Sequence, residues 1–155
     1  MPIRRKRHKV PQSAAQMFAL VADVERYPEF LPGCRALTVT NRKTLADDTE
    51  IITADMLVGY KMFEEMFRSR VTVNRSALSI DIHYLQGPFR HLDNNWRFRD
   101  LDQGGSEIDF YISFELRSRG LGLLVGGLFE HVFVRMIDAF ESRARIIYPP
   151  SITAS

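Results

Sequence analysis

Few residues in this chain have the types and spacing that chemistry needs. The four histidines, His8, His83, His91 and His131, fall in four different predicted elements, with no HExxH or other paired-ligand spacing. No metal site is expected from them. His83 lies on the polar side of its strand and His131 next to Glu130 on a helix, both ordinary surface positions. Cys34 is the one cysteine, so it can form neither an intrachain disulfide nor a thiolate metal site, which fits a reducing compartment. Glu64 and Glu65 are adjacent in a strand and therefore point to opposite faces, so they do not make a general acid/base pair. One of them can turn inward towards Arg68 or a bound ligand, and Glu65 reads as an exposed charge. No Ser/His/Asp or Cys/His motif and no glycine-rich phosphate loop is present, and the chain is not expected to be an enzyme. Binding chemistry is better represented. Asn94 and Trp96 fall on the apolar side of a strand, where an amide or indole N–H needs a partner and can donate to a ligand oxygen.

The elements that would position these groups follow from periodicity. With 155 residues, 45% of them hydrophobic, the chain suits one domain with a real core, taken as residues 1–150 with a flexible tail at 151–155. Eleven Phe against one Trp and five Tyr suit a core or a greasy pocket, because Phe buries area without needing a hydrogen bond. Ile3 to Val10 reads as a strand ended by Pro11. Ser13 is placed to cap a helix from Ala14 to about Ala22, and Asp23 to cap a second short helix kept short by Pro28 and Pro32. The period then becomes two, with strands over Ala36 to Lys43, Thr49 to Tyr60 and Met62 to Val73. Leu78 to Tyr84, Leu92 to Phe98 and Ile108 to Leu116 follow, with a hairpin turn at Asp102 to Gly105. After Gly120 the period is helical to about Ile147, a helix of roughly 27 residues and about 40 Å. One strand, two short helices, six strands and one long helix make an α+β fold. Its curved antiparallel sheet of about seven strands needs cover on one face only, which the long helix can supply.

A bent sheet around one helix leaves a gap in which a ligand can sit. The strand residues expected to line it are Met56, Phe63, Phe67 and Ile82, then Asn94, Trp96 and Phe98, then Phe110 and Phe114. Leu124, Leu128 and Val132 are expected to close it from the helix. Pro28, Phe30 and Pro32 are expected at one rim, and Gly126 and Gly127 in a lid, since glycines cost a helix about 1 kcal/mol each relative to Ala. The run Leu121 to Phe129 carries no charge and offers a surface for transient membrane contact, with Arg117 and Arg119 just before it. Net charge is only +2, with the basic excess in Arg4 to Lys9. That run reads first as a charged edge strand and second as a contact for phosphates or anionic lipid heads. No leader and no span of about 20 apolar residues is visible, so the expected location is cytoplasmic, or peripheral on the cytoplasmic face of a membrane.

Three stretches carry a resemblance: Val21-Ala-Asp-Val-Glu-Arg-Tyr-Pro-Glu-Phe-Leu-Pro-Gly-Cys34, Gly87-Pro-Phe-Arg-His-Leu-Asp-Asn-Asn-Trp-Arg-Phe98, and Asp138-Ala-Phe-Glu-Ser-Arg-Ala144. With the element order, the chain resembles the coenzyme Q-binding branch of the START-like, polyketide cyclase/dehydrase superfamily. The resemblance implies a helix-grip fold. It also implies ubiquinone, or a related isoprenoid lipid, as a bound ligand rather than a cofactor, in support of respiration. Asn94 and Trp96 would then face a quinone oxygen. Relatives in bacteria include ribosome-association toxins, which implies the ribosome as an alternative partner. A cyclase-type enzyme is a further alternative on the same fold.

Overall fold

The computed structural model describes residues 3–46, 48–60, 63–116 and 134–149; of Tyr60, Phe63 and Leu116 it describes the backbone alone. Strand β1 (Ile3–Val10) is followed by helix α1 (Ala14–Ala22) and a 3-10 helix (Val24–Glu29). Six strands come next: β2 (Cys34–Ala46), β3 (Thr49–Tyr60), β4 (Phe63–Asn74), β5 (Ser79–Gln86), β6 (Phe89–Asp100) and β7 (Ser106–Leu116). Residues 134–147 form the helix α2. The strands make one seven-stranded sheet in the order β1-β7-β6-β5-β4-β3-β2, every pair antiparallel. The first strand therefore closes onto the last, and α1 and the 3-10 helix carry the chain across to the far edge, where β2 begins.

Helix α1 forms where its cap and its stripe coincide. Ser13 Oγ accepts from Gln16 N (3.1 Å) while Gln16 Oε1 accepts from Ser13 N (3.0 Å), a reciprocal capping box. The first helical amide, Ala14 N, donates to Asp100 Oδ1 at 2.8 Å, so a carboxylate at the end of β6 satisfies a donor that has no partner inside the helix. Ala14, Met17, Phe18, Leu20 and Val21 are buried beneath it. The core continues through Ile52, Val73, Ile80, Trp96, Phe98, Ile108 and Phe110 of the sheet to Ile137, Phe140 and Ala144 of α2.

The structure corrects several boundaries. Asp23 makes no side-chain cap, and the helix after it is 3-10 with Pro28 inside rather than beyond its end. Its turns are held by Arg26 N to Asp23 O (3.1 Å) and Phe30 N to Tyr27 O (3.2 Å), bonds that do not need the N–H that Pro28 lacks. Strand β2 extends past Lys43 to Ala46, with register shifts along its pairing to β3. Strand β6 begins at Phe89 rather than Leu92, because its ladder with β7 continues through a bulge between Phe89 and His91 as far as Phe89, directly after Pro88. The proposed long helix is described only over 134–147. Leu124, Leu128, Val132, Gly126 and Gly127, with the whole lid segment, lie outside the described residues, as does the side chain of Phe63.

Candidate functional site

Strand alternation brings one row of side chains to the concave face. Met56 of β3 stands opposite Phe67 of β4, Ile82 of β5 opposite Asn94 of β6, and Asn94 in turn opposite Ile112 of β7. Trp96 pairs with Phe110, and Leu92 with Phe114. The helices divide this row into two parts.

The first part is sealed. Trp96 is 3% exposed, with its indole edge-on to Phe110 (4.6 Å between centroids) and to Phe140 of α2 (5.2 Å), and stacked on Phe98 (6.1 Å). Phe98 meets Phe18 of α1 edge-on at 5.9 Å. Tyr27, Phe30 and Phe140 form a triangle of edge-to-face rings, with the Arg143 guanidinium 5.2 Å over Phe30. The buried Tyr27 hydroxyl donates to Val21 O, and burial raises its pKa well above the usual phenol range. Of the expected rim, Phe30 and Pro32 are half-buried here and Pro28 is exposed. Cys34, next to them in sequence, is buried, and burial pushes its thiol pKa up to about 11, away from reactivity.

The second part is more open. Met56, Phe67, Ile82 and Leu92 are only half-buried although they sit on the inward row. Beside Phe67 the buried Phe89 ring is edge-on to Phe67 (5.3 Å), Tyr84 (5.6 Å) and the buried Phe114 (5.9 Å), and its N–H donates to Tyr84 Oη at 3.0 Å. Reasoning from sequence left Phe89 out, because Gly87-Pro88 reads as the end of the pattern and the bulge that turns Phe89 inward breaks alternation. Tyr84 was legible as an inward residue of its strand but not as the partner of that N–H. Between the two parts lies Asn94, 7% exposed, whose Nδ2 donates to Tyr111 O at 2.8 Å.

The outer face carries cross-strand ion pairs. Arg5 binds Asp109 through both nitrogens (2.8 and 3.2 Å), Arg7 approaches the same carboxylate (3.4 Å), and Arg97 meets Asp81 (2.8 Å). The Arg5 guanidinium holds the Asp109 carboxyl below its usual range. Arg68 is taken by Asp55, directly opposite it in the ladder, and Glu64 by Arg35 at 2.6 Å, so neither glutamate meets Arg68 as the sequence suggested. Glu65 shares the inward row with Phe67 by register and is exposed. His83 is exposed on the outer face, and His91 Nε2 lies 2.9 Å from Ser113 Oγ. Among the described residues, no three His, Cys, Asp or Glu converge as a metal site would require, and no helix is long and apolar enough to cross a membrane.

This geometry has clear relatives. Over residues 10–141 the chain matches the family described as polyketide cyclase / dehydrase and lipid transport. The ribosome association toxin RatA of Escherichia coli strain K12 is 34% identical over 150 residues, which cover 96% of this chain and 90% of that protein. The mitochondrial coenzyme Q-binding protein COQ10 homolog B of Xenopus laevis is 30% identical over 145 residues, 88% of this chain and 55% of that protein. A START superfamily protein from Mycobacterium smegmatis superposes with a TM-score of 0.78 at 18% identity, covering 94% of this chain and 98% of the other, a likeness of fold. The seven-stranded antiparallel sheet, the two short helices after β1 and the C-terminal helix are the START-like helix-grip arrangement. By the extent of the family match and by its identity to RatA, the chain belongs to the polyketide cyclase / dehydrase and lipid transport family.

Proposed function

We propose that this protein binds a hydrophobic lipid, with ubiquinone or a related isoprenoid quinone as the ligand, in the concave interior of its sheet, and that it acts as a carrier rather than an enzyme. The observation that carries this reading is the unequal burial of the inward row. Trp96, Phe98 and Phe110 are sealed by α1 and α2, whereas Met56, Phe67, Ile82 and Leu92 keep accessible apolar surface on a face that a core would normally close. The name of the frog relative, a coenzyme Q-binding protein, supports the choice of ligand. Leu124, Leu128 and Val132, with Gly126 and Gly127 as the expected lid, are assigned to this site from the sequence alone and lie outside the described residues. The test is organic extraction of the purified protein with mass spectrometry of the extract, followed by titration with a short-chain quinone while the fluorescence of the single tryptophan, Trp96, is followed. A quinone in the extract and saturable quenching are expected. A lipid-free extract together with no saturable quenching would sink the reading.

A second reading has its own support. The E. coli relative is named for ribosome association, and Arg5, Arg7 and Lys9 share the outward row of an edge strand. Arg5 and Arg7 already share Asp109, which offsets part of that charge. Under this reading the protein co-sediments with ribosomes at low salt, and replacing the three residues with Gln abolishes it. Absence of co-sedimentation at low salt removes this alternative.

A further inference from the structure

Asn94 is a polar residue of the inward row, and its neighbours there are apolar: Ile82 and Ile112 across the ladders, Leu92 and Trp96 along its own strand. The side chain is more than nine-tenths buried. Its Nδ2 donates to the backbone carbonyl of Tyr111, and an acceptor at that position fixes which end of the amide is nitrogen. Oδ1 is thereby left on the side of the amide away from that carbonyl. Among the described residues no donor reaches it, and unlike His8 Nδ1 it is not sealed from solvent, so a ligand can reach it. The residue thus keeps an acceptor and a second Nδ2 hydrogen on the inward row, next to the half-buried Ile82 and Leu92.

From this arrangement we infer that the site selects ligands that carry a hydroxyl group, and within a quinone couple favours the hydroquinone over the quinone. The inference rests on the lipid-binding reading above and deepens it. A hydroxyl donates to Oδ1 and can at the same time accept from the remaining N–H. A quinone carbonyl or an ether oxygen only accepts, so it satisfies the N–H at most and faces Oδ1 with a second acceptor. One additional neutral hydrogen bond corresponds to an affinity ratio of roughly three- to tenfold.

The experiment uses a redox-inert pair, so that air oxidation does not enter: a short-chain prenylated phenol and its O-methyl ether, each titrated into the full-length protein with Trp96 emission as the readout. Tighter binding of the phenol by roughly three- to tenfold is expected. In Asn94→Leu the two affinities should become equal. Asn94→Val, a smaller replacement suited to a strand, serves if Leu disturbs the fold. Equal binding of phenol and ether by the unaltered protein overturns the inference and leaves the lipid-binding reading standing. A phenol preference that survives in the folded variant also overturns it. If neither compound binds, it is the lipid-binding reading itself that fails.

Discussion

At the scale of single residues, Tyr27 shows how one side chain settles a junction. Its ring fills the space between Phe30 and Phe140, and its hydroxyl donates to Val21 O. Val21 lies in the last turn of α1, where carbonyls have no partner inside the helix. Tyr27 therefore acts as a side-chain cap that folds the 3-10 helix back on α1. Burial keeps the phenol protonated throughout the working pH range, so this donor is always present. Tyr27→Phe retains the ring and removes the donor, and it should cost about 1–2 kcal/mol, read as a lower denaturant midpoint with an unchanged slope. A midpoint equal to that of the original protein would mean that solvent serves Val21 as well as Tyr27 does.

Among elements, the β6–β7 hairpin is where local and tertiary demands meet. The turn at Asp102 to Gly105 was legible from its residue types, and both Gly104 (φ +96°) and Gly105 (φ +76°) take backbone conformations that other residues rarely adopt. Their surroundings differ. A Cβ on Gly104 would meet nothing within 4 Å, whereas one on Gly105 would lie 2.3 Å from Val10 O at the end of β1. Backbone cannot move aside as the end of a flexible side chain can. Gly104→Ala should therefore carry only the conformational strain, about 1–3 kcal/mol. Gly105→Ala should lose more, since it must also displace the junction between the first strand and the hairpin. Thermal melts of the two variants side by side measure the difference, and equal losses would show that the β1 end yields freely.

Over the whole molecule, the first and last elements are joined through His8. From β1 its Nε2 reaches Glu141 of α2 at 3.1 Å, while its Nδ1 is buried with no hydrogen-bond partner. Protonation would place an N–H on that buried nitrogen. Desolvation is the largest influence and lowers the His8 pKa; Glu141 opposes it, and Lys6 adds to the lowering. Because the folded pKa lies below the unfolded one, the unfolded chain takes up a proton that the folded chain does not. The contribution to stability is complete above about pH 6.5 and shrinks as pH falls through that value. Melting temperature should thus decline between about pH 7 and pH 5, and His8→Gln should flatten that decline. A variant whose slope matches the original would exclude His8 as the source. Asp109 and Glu29, both lowered by their arginine partners, act in a separate window at more acidic pH, where protonation removes what those pairs contribute.

The alternation of Ile108, Phe110, Ile112 and Phe114, the cap at Ser13 and the order of strands and helices were legible because each rests on neighbours a few residues apart. Period-two burial and capping are properties of local geometry, and they also sorted Asn94 and Trp96 onto the inward row. The family resemblance, carried by three short stretches, was readable in the same way. What the sequence did not contain was the split of that row into a sealed half and a half-open one. It depends on where α1 and α2 land across the sheet, through contacts such as Trp96 to Phe140 that join residues 44 positions apart. The inward turn of Phe89 was hidden for a related reason: a bulge shifts the phase of alternation and is set by the partner strand. Only the tertiary structure could decide which atoms of Asn94 are already spent, since its hydrogen-bond partner, Tyr111 O, belongs to another strand. Periodicity assigns a side chain to a face; the packing of distant segments onto that face determines whether it becomes core or site.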